Sequence, residues 1–169
     1  TMSINFGPEG LHQDGWIPQD GSSTRLVRSG LYSGFASPTG HTGDEADNPF
    51  SLNGRYDSYV KMNGGRYELT LPNGLYTITL VAGNPGGETL SGDMVIDLEG
   101  TTVLSGQPSG GEAWLVHEDP AFLLTDGSLT VEDVSGTGIL CWLRLERLDT
   151  DNEPPTVFLD YPMDGGKIP

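Results

Sequence analysis

Arg66-Tyr67-Glu68-Leu69-Thr70-Leu71-Pro72-Asn73-Gly74-Leu75-Tyr76-Thr77-Ile78-Thr79-Leu80 sets the architecture of this chain. In its first half Tyr67, Leu69 and Leu71 are apolar, while Arg66, Glu68 and Thr70 are polar. A strand turns successive side chains to opposite faces, so a period of two means one buried face and one wet face. The second half alternates in the same way, with Tyr76, Ile78 and Leu80 on one face. Asn73-Gly74 separates the two runs. Both residues tolerate positive φ, which predicts a β-hairpin.

The same pattern continues towards the C-terminus. Met94, Ile96 and Leu98 alternate with Val95, Asp97 and Glu99, and Gly100-Thr101 turns the chain into Thr102-Val103-Leu104. Asp126-Gly127 turns it into residues 128–132, with Leu129 and Val131 inward. Residues 139–148 form a longer strand. Ile139, Cys141, Leu143 and Leu145 are expected to face the core, with Trp142 on the other face beside Arg144 and Glu146. Nothing holds helical periodicity for three turns. Many short strands punctuated by Gly, Asn, Asp and Pro predict an all-β fold, an antiparallel β-sandwich. From Gly7 to Gly54 the alternation fades. One short strand is expected over residues 24–28, and the rest reads as long loops laid over one end of the sandwich, where function usually resides.

Composition agrees and excludes. The 169 residues include 25 Gly and 12 Pro, both costly inside helices. Only 35% of the residues are hydrophobic, as one-sided strands allow. Twenty-four Asp and Glu against eight Lys and Arg give a net charge of −16. Such a chain repels phosphate backbones and anionic lipid, so neither nucleic acid nor membrane insertion is expected. No apolar run approaches the ~20 residues of a spanning helix. A neutral or cationic glycan is easier to accommodate than a sulfated or uronic one, unless calcium bridges it. The single cysteine, Cys141, reads as a small buried hydrophobe.

Residues 1–149 are read as the sandwich domain and 150–169 as a linker with the first strand of another unit. The start lacks the basic and apolar regions of a signal peptide, so the chain is expected to begin after any signal or inside a larger protein. Asp149-Thr150-Asp151-Asn152-Glu153-Pro154-Pro155 is acidic and then Pro-rich, like a linker. The stretch from Thr156 to Gly166 resembles the first strand and turn of an immunoglobulin-like or cadherin-like repeat of bacterial multidomain surface and secreted proteins.

Taken in order, the segments resemble malectin-like, galactose-binding-type β-sandwich domains. Ile4-Asn5-Phe6-Gly7 is similar to their opening strand, and Gly15-Trp16-Ile17-Pro18-Gln19-Asp20-Gly21 to their Gly-aromatic-Xaa-Xaa-Asp-Xaa-Gly loop. Arg55-Tyr56-Asp57-Ser58 stands at their Arg-Tyr or Leu-Asp segment. The run from Tyr67 to Pro85 is similar to their central hairpin and following loop, Asp97-Leu98-Glu99-Gly100 to a ligand-facing strand and turn, and residues 126–131 to the last hairpin. The resemblance implies a jelly-roll fold and a non-catalytic carbohydrate-binding module. It also implies that sugar is held by aromatics and polar groups on loops at one end. Where malectin carries aromatics after the central hairpin, this chain has Asn84-Pro85-Gly86-Gly87-Glu88.

Sugar binding needs a flat aromatic face against C–H groups and planar polar groups against hydroxyls. Trp16, Tyr32, Phe35, Tyr56 and Trp114 offer the first, although each equally fits as a plug that seals a loop onto the sandwich. Arg55, Asn84, Glu88 and Asp93 offer the second, with ordinary solvated loop residues as the plainer reading. Calcium wants several oxygen ligands from one loop. Asp44 and Asp47, in Asp44-Glu45-Ala46-Asp47-Asn48, and Asp149 and Asp151, at the domain junction, are the candidates, against the reading of solvated acidic runs. Neither segment has EF-hand spacing.

Catalysis is not expected. His12, His41 and His117 are far apart, and there is no Gly-Xaa-Ser-Xaa-Gly elbow, Walker motif or dinucleotide glycine pattern. The function that the resemblance implies is a glycan-binding, monomeric, extracellular module of a secreted multidomain bacterial protein, carried beside neighbouring domains such as a polysaccharide-degrading enzyme. The alternative is a structural or adhesive spacer that binds no sugar and keeps its loop aromatics buried.

Overall fold

A computed structural model describes residues 1–6, 17–19, 25–28, 31–36, 42–44, 58–85, 89–108 and 114–148. Among these residues there are strands and turns and no helix. The strands are β1 (Met2–Phe6), β2 (Ile17–Gln19), β3 (Arg25–Arg28), β4 (Leu31–Phe35), β5 (Thr42–Asp44), β6 (Ser58–Lys61) and β7 (Arg66–Thr70). They continue with β8 (Gly74–Gly83), β9 (Met94–Leu98), β10 (Thr101–Gly106), β11 (Trp114–Leu124), β12 (Ser128–Asp133) and β13 (Ile139–Arg147).

Two sheets form the sandwich. The first has the order β11-β8-β13-β1-β2, with β6 also paired to β13 and β5 to β6. The second has the order β10-β9-β12-β7-β4-β3. Pairing is antiparallel throughout the described strands except between β1 and β2, which run parallel. The expected antiparallel β-sandwich is thus what the chain forms.

The inward faces carry the alternation seen in the sequence. Tyr67, Leu69, Tyr76, Ile78, Leu80, Met94, Ile96, Leu98, Leu129 and Val131 are all buried. Phe6 of the first sheet meets Phe35 and Tyr67 of the second. The Phe6–Tyr67 centroids lie 5.0 Å apart at 85°, and those of Phe35 and Tyr67 lie 5.3 Å apart at 57°. Edge-on pairs such as Phe6–Tyr67 add ~0.5–1.5 kcal/mol each beyond their buried area. Phe35 is therefore a core plug, the second of the two readings open to it.

Four expectations need correction. Pro72-Asn73-Gly74 is not a hairpin: it joins β7 of the second sheet to β8 of the first. Asp126-Gly127 likewise joins β11 of the first sheet to β12 of the second. Both turns are arches over one end of the sandwich, as a jelly-roll path requires. Asn73 serves its arch with its side chain, donating from Nδ2 to the Thr125 carbonyl at 2.8 Å and so tying the two arches together. The two-residue hairpin lies at Glu99-Gly100, where φ is +50° and +72° and β9 pairs with β10. This is the doubly positive geometry that fits the twist of paired strands.

The third correction is the strict alternation expected of β13. Trp142 lies on the outward face with Arg144, as expected, and is buried there. Trp142 pairs with Val81 and with Asn5, while Leu143 pairs with Leu80. Directly paired residues share a face, so Trp142, Val81 and Asn5 form a buried patch on the outer side of the first sheet. The register slips between Leu140 and Trp142, which lets both Leu140 and Leu143 point inward. The fourth correction is the first third of the chain. Besides β3, expected there, the described part of residues 7–54 contributes β2, β4 and β5 to the two sheets, while β1 forms at the expected opening strand.

Candidate functional site

The antiparallel registers bring one set of connections to one end of the sandwich: the β6–β7 turn, the approach to β9, the start of β11 and the β12–β13 loop. The β6–β7 turn is built on Asn63 and Gly64, with φ of +52° and +75°, and closed by a Gly65 N–H to Met62 carbonyl bond of 2.8 Å.

Asp133, the last residue of β12, fastens this turn to the β12–β13 loop. Its side chain is buried. Oδ2 accepts from the Gly64 N–H at 2.8 Å and from the Gly138 N–H at 2.9 Å. Oδ1 accepts from the Ser135 N–H at 3.1 Å, the Ser135 hydroxyl at 2.8 Å and the Gly136 N–H at 3.0 Å. A buried carboxylate is costly unless fully hydrogen-bonded, and four backbone donors and a hydroxyl meet that demand. The network extends outward. Ser135 Oγ lies 3.0 Å from Thr137 Oγ1, and Thr137 Oγ1 donates to the Asp93 carbonyl at 3.0 Å. Gly138 has to be glycine, since a Cβ there would sit 2.6 Å from Asp133 Cγ and 2.7 Å from Ile96 Cδ1.

Beside this knot opens a groove of about 180 Å³. Its polar lining is Lys61 and Asn63 on one side, Thr89 and Ser91 on another and Thr137 on the third. Leu90 and Ile139 supply apolar surface. Lys61 ends β6 and pairs with Ile139, so its backbone is held by the sheet. Hydroxyls, an amide, an ammonium and short apolar walls make a surface that can hold a small polyhydroxylated molecule.

The candidates from sequence fall in several places. Asp93 is exposed and reaches the groove wall through its bond from Thr137. Asn84 follows β8 at the same end and is buried. Trp114 opens β11 opposite Gly83 and is half-buried against the core. Tyr32 lies elsewhere. Ser33 and Phe35 of β4 point inward, so Tyr32, 51% exposed, stands on the outer face of the second sheet. Asp44 ends β5 opposite Ser58. Trp16, Arg55, Tyr56, Glu88, Asp47, Asp149 and Asp151 lie outside the described residues, and among the described residues no group of three His, Cys, Asp or Glu is placed to hold a metal.

Lys61, Asn63, Thr89, Ser91, Thr137 and the buried Asp133 were not among the sequence candidates. Two signals mark the turns that carry Asn63, Asp133 and Thr137, the Asn63-Gly64 dipeptide and the turn-forming run from Asp133 to Gly138; none marks Lys61, Thr89 or Ser91.

No family model and no curated protein matches the chain. Solved structures do. Protein YxiM of Bacillus subtilis matches at 25% identity with a TM-score of 0.56, over 88% of this chain and 40% of its own. The complex of the plant peptide RALF23 with FER and LLG2 contains a chain matched at 13% identity and a TM-score of 0.61, over 94% of this chain and 42% of its own. A β-glucuronidase of Bacteroides uniformis matches at 18% identity and a TM-score of 0.60, over 88% of this chain and 18% of its own. This chain thus spans less than half the length of each of these matches. What they have in common with it is the β-sandwich fold.

Proposed function

We propose that this chain is a non-catalytic carbohydrate-binding domain that takes its ligand at the groove between the β6–β7 turn, the approach to β9 and the β12–β13 loop. The observation that carries this reading is the groove lining: Lys61, Asn63, Thr89, Ser91 and Thr137 converge beside Leu90 and Ile139, and the two turns that carry Asn63 and Thr137 are fastened by Asp133. Sugars are recognised by such groups, with hydrogen-bonding side chains for the hydroxyls and apolar surface for the C–H faces. The order of sequence motifs supports the reading, and so does the presence of a similar sandwich within the B. uniformis β-glucuronidase.

In this reading residues 1–149 are the binding domain of a secreted bacterial multidomain protein, and 150–169 lead to its next unit. Calcium at the Asp44–Asp47 or Asp149–Asp151 segments belongs to the same proposal, and a melting temperature higher in calcium than in EDTA would support it.

Affinity electrophoresis through gels containing plant and algal polysaccharides, each run with calcium and with EDTA, tests the function. At least one glycan should retard the protein without being cleaved. Unretarded migration in every gel would overturn the reading.

A further inference from the structure

We infer that the groove selects a single carboxylate-bearing sugar unit on an otherwise neutral glycan; this rests on the carbohydrate-binding reading above. Lys61 is the charged side chain among the groove-lining residues. The chain carries only eight Lys and Arg against 24 Asp and Glu, so a lysine in a polar groove stands out from its surroundings. An ammonium has three donors, so it can serve a partner within the protein and a ligand carboxylate at once. Thr89, Ser91, Thr137 and Asn63 then face the hydroxyls of the same ring.

Size and charge limit the ligand further. A volume of about 180 Å³ is well below the ~300–1,000 Å³ of sites for drug-sized ligands, so the groove itself encloses one ring. Around it the molecule is acidic. Asp93 is exposed at the rim, and Asp133 lies buried behind Gly138. Contact with Lys61 is local, and exposed charges farther away than ~8 Å are largely screened at physiological salt. One carboxylate in the groove therefore gains from Lys61. Further carboxylates along a polyuronate would run past Lys61 over a rim that carries the exposed Asp93, in a chain with 24 acids to eight bases. The whole-chain charge disfavours polyanions, and the groove favours one acid unit.

The test is calorimetric titration of the full chain with four ligands. These are a neutral oligosaccharide cut from one of the gel polysaccharides, the same oligosaccharide bearing one terminal uronate, the methyl ester of that uronate, and a polyuronate. The single-acid ligand should bind about tenfold or more tighter than both the neutral parent and the ester, the gain expected of one charge-assisted hydrogen bond. The polyuronate should bind more weakly than the single-acid ligand. Lys61→Gln should bring the acid-to-neutral ratio close to one, and Lys61→Arg should preserve it. The ester comparison needs no variant, so misfolding of Lys61→Gln cannot obscure the answer. Equal affinity for acid, ester and neutral parent would overturn this inference and leave the carbohydrate reading standing. Preferred binding of the polyuronate would overturn the single-unit claim. Binding of none of the four would overturn both readings.

Discussion

Asp133 and Gly138 depend on each other. The carboxylate gathers donors from two loops, and it can sit there only because residue 138 has no side chain to collide with it. Gly138→Ala should therefore cost about 2–4 kcal/mol in urea unfolding, because the methyl group displaces a buried, fully bonded charge. Gly92→Ala is the control: a Cβ there meets nothing within 4 Å, and the change should stay within about 0.5 kcal/mol. Tyr76 plays a related part at the other end, donating its hydroxyl to the Pro72 carbonyl at 2.6 Å. Burial raises its pKa above the ordinary value, and the nearby Arg147 cation offsets this in part. The folded chain thus holds the phenolic proton longer than the unfolded chain does. The associated stability is complete below about pH 10 and is lost as pH rises through the folded value. Tyr76→Phe should lose about 1 kcal/mol at neutral pH and flatten the alkaline limb of the stability profile.

Turns at the level of elements explain what the sequence could and could not reveal. Glu99-Gly100 forms a hairpin with both φ angles positive. Gly100→Ala, which meets no steric obstacle, should still cost about 1 kcal/mol from backbone strain alone, measured by thermal unfolding. The strands around Tyr67–Leu71, Tyr76–Leu80, Met94–Leu98 and Leu129–Val131 were legible because each has a single buried face. The sheet to which each strand belongs was not legible. Asn73-Gly74 marks a turn by its local chemistry, but whether that turn links neighbours or crosses between sheets depends on partners far away in sequence, such as Thr125. The strict alternation expected of β13 fails for a similar reason. Two-sided burial and a register slip both break the period of two, and alternation carries no trace of what covers the outer face. β4 was missed because Ser33 and Gly34 are buried without being apolar.

Across the whole molecule the candidate site was the least legible part. Aromatics and acids draw attention in a sequence, yet the groove is made of a lysine, an asparagine and three hydroxyls. Nothing distinguishes them individually from solvated loop residues; three inter-sheet connections bring them together. Asn84 and Trp114 lie at the same end, whereas Tyr32 faces solvent from the second sheet. That separation makes the location of binding measurable. Backbone amide chemical shifts of the isotope-labelled chain, followed while a retarding glycan is titrated in, should move at Lys61, Asn63, Thr89–Ser91 and Thr137–Ile139 and stay fixed around Tyr32, Glu68 and Thr130. Shifts confined to the outer face of the second sheet, or no shifts at saturating glycan, would contradict a binding site in the groove.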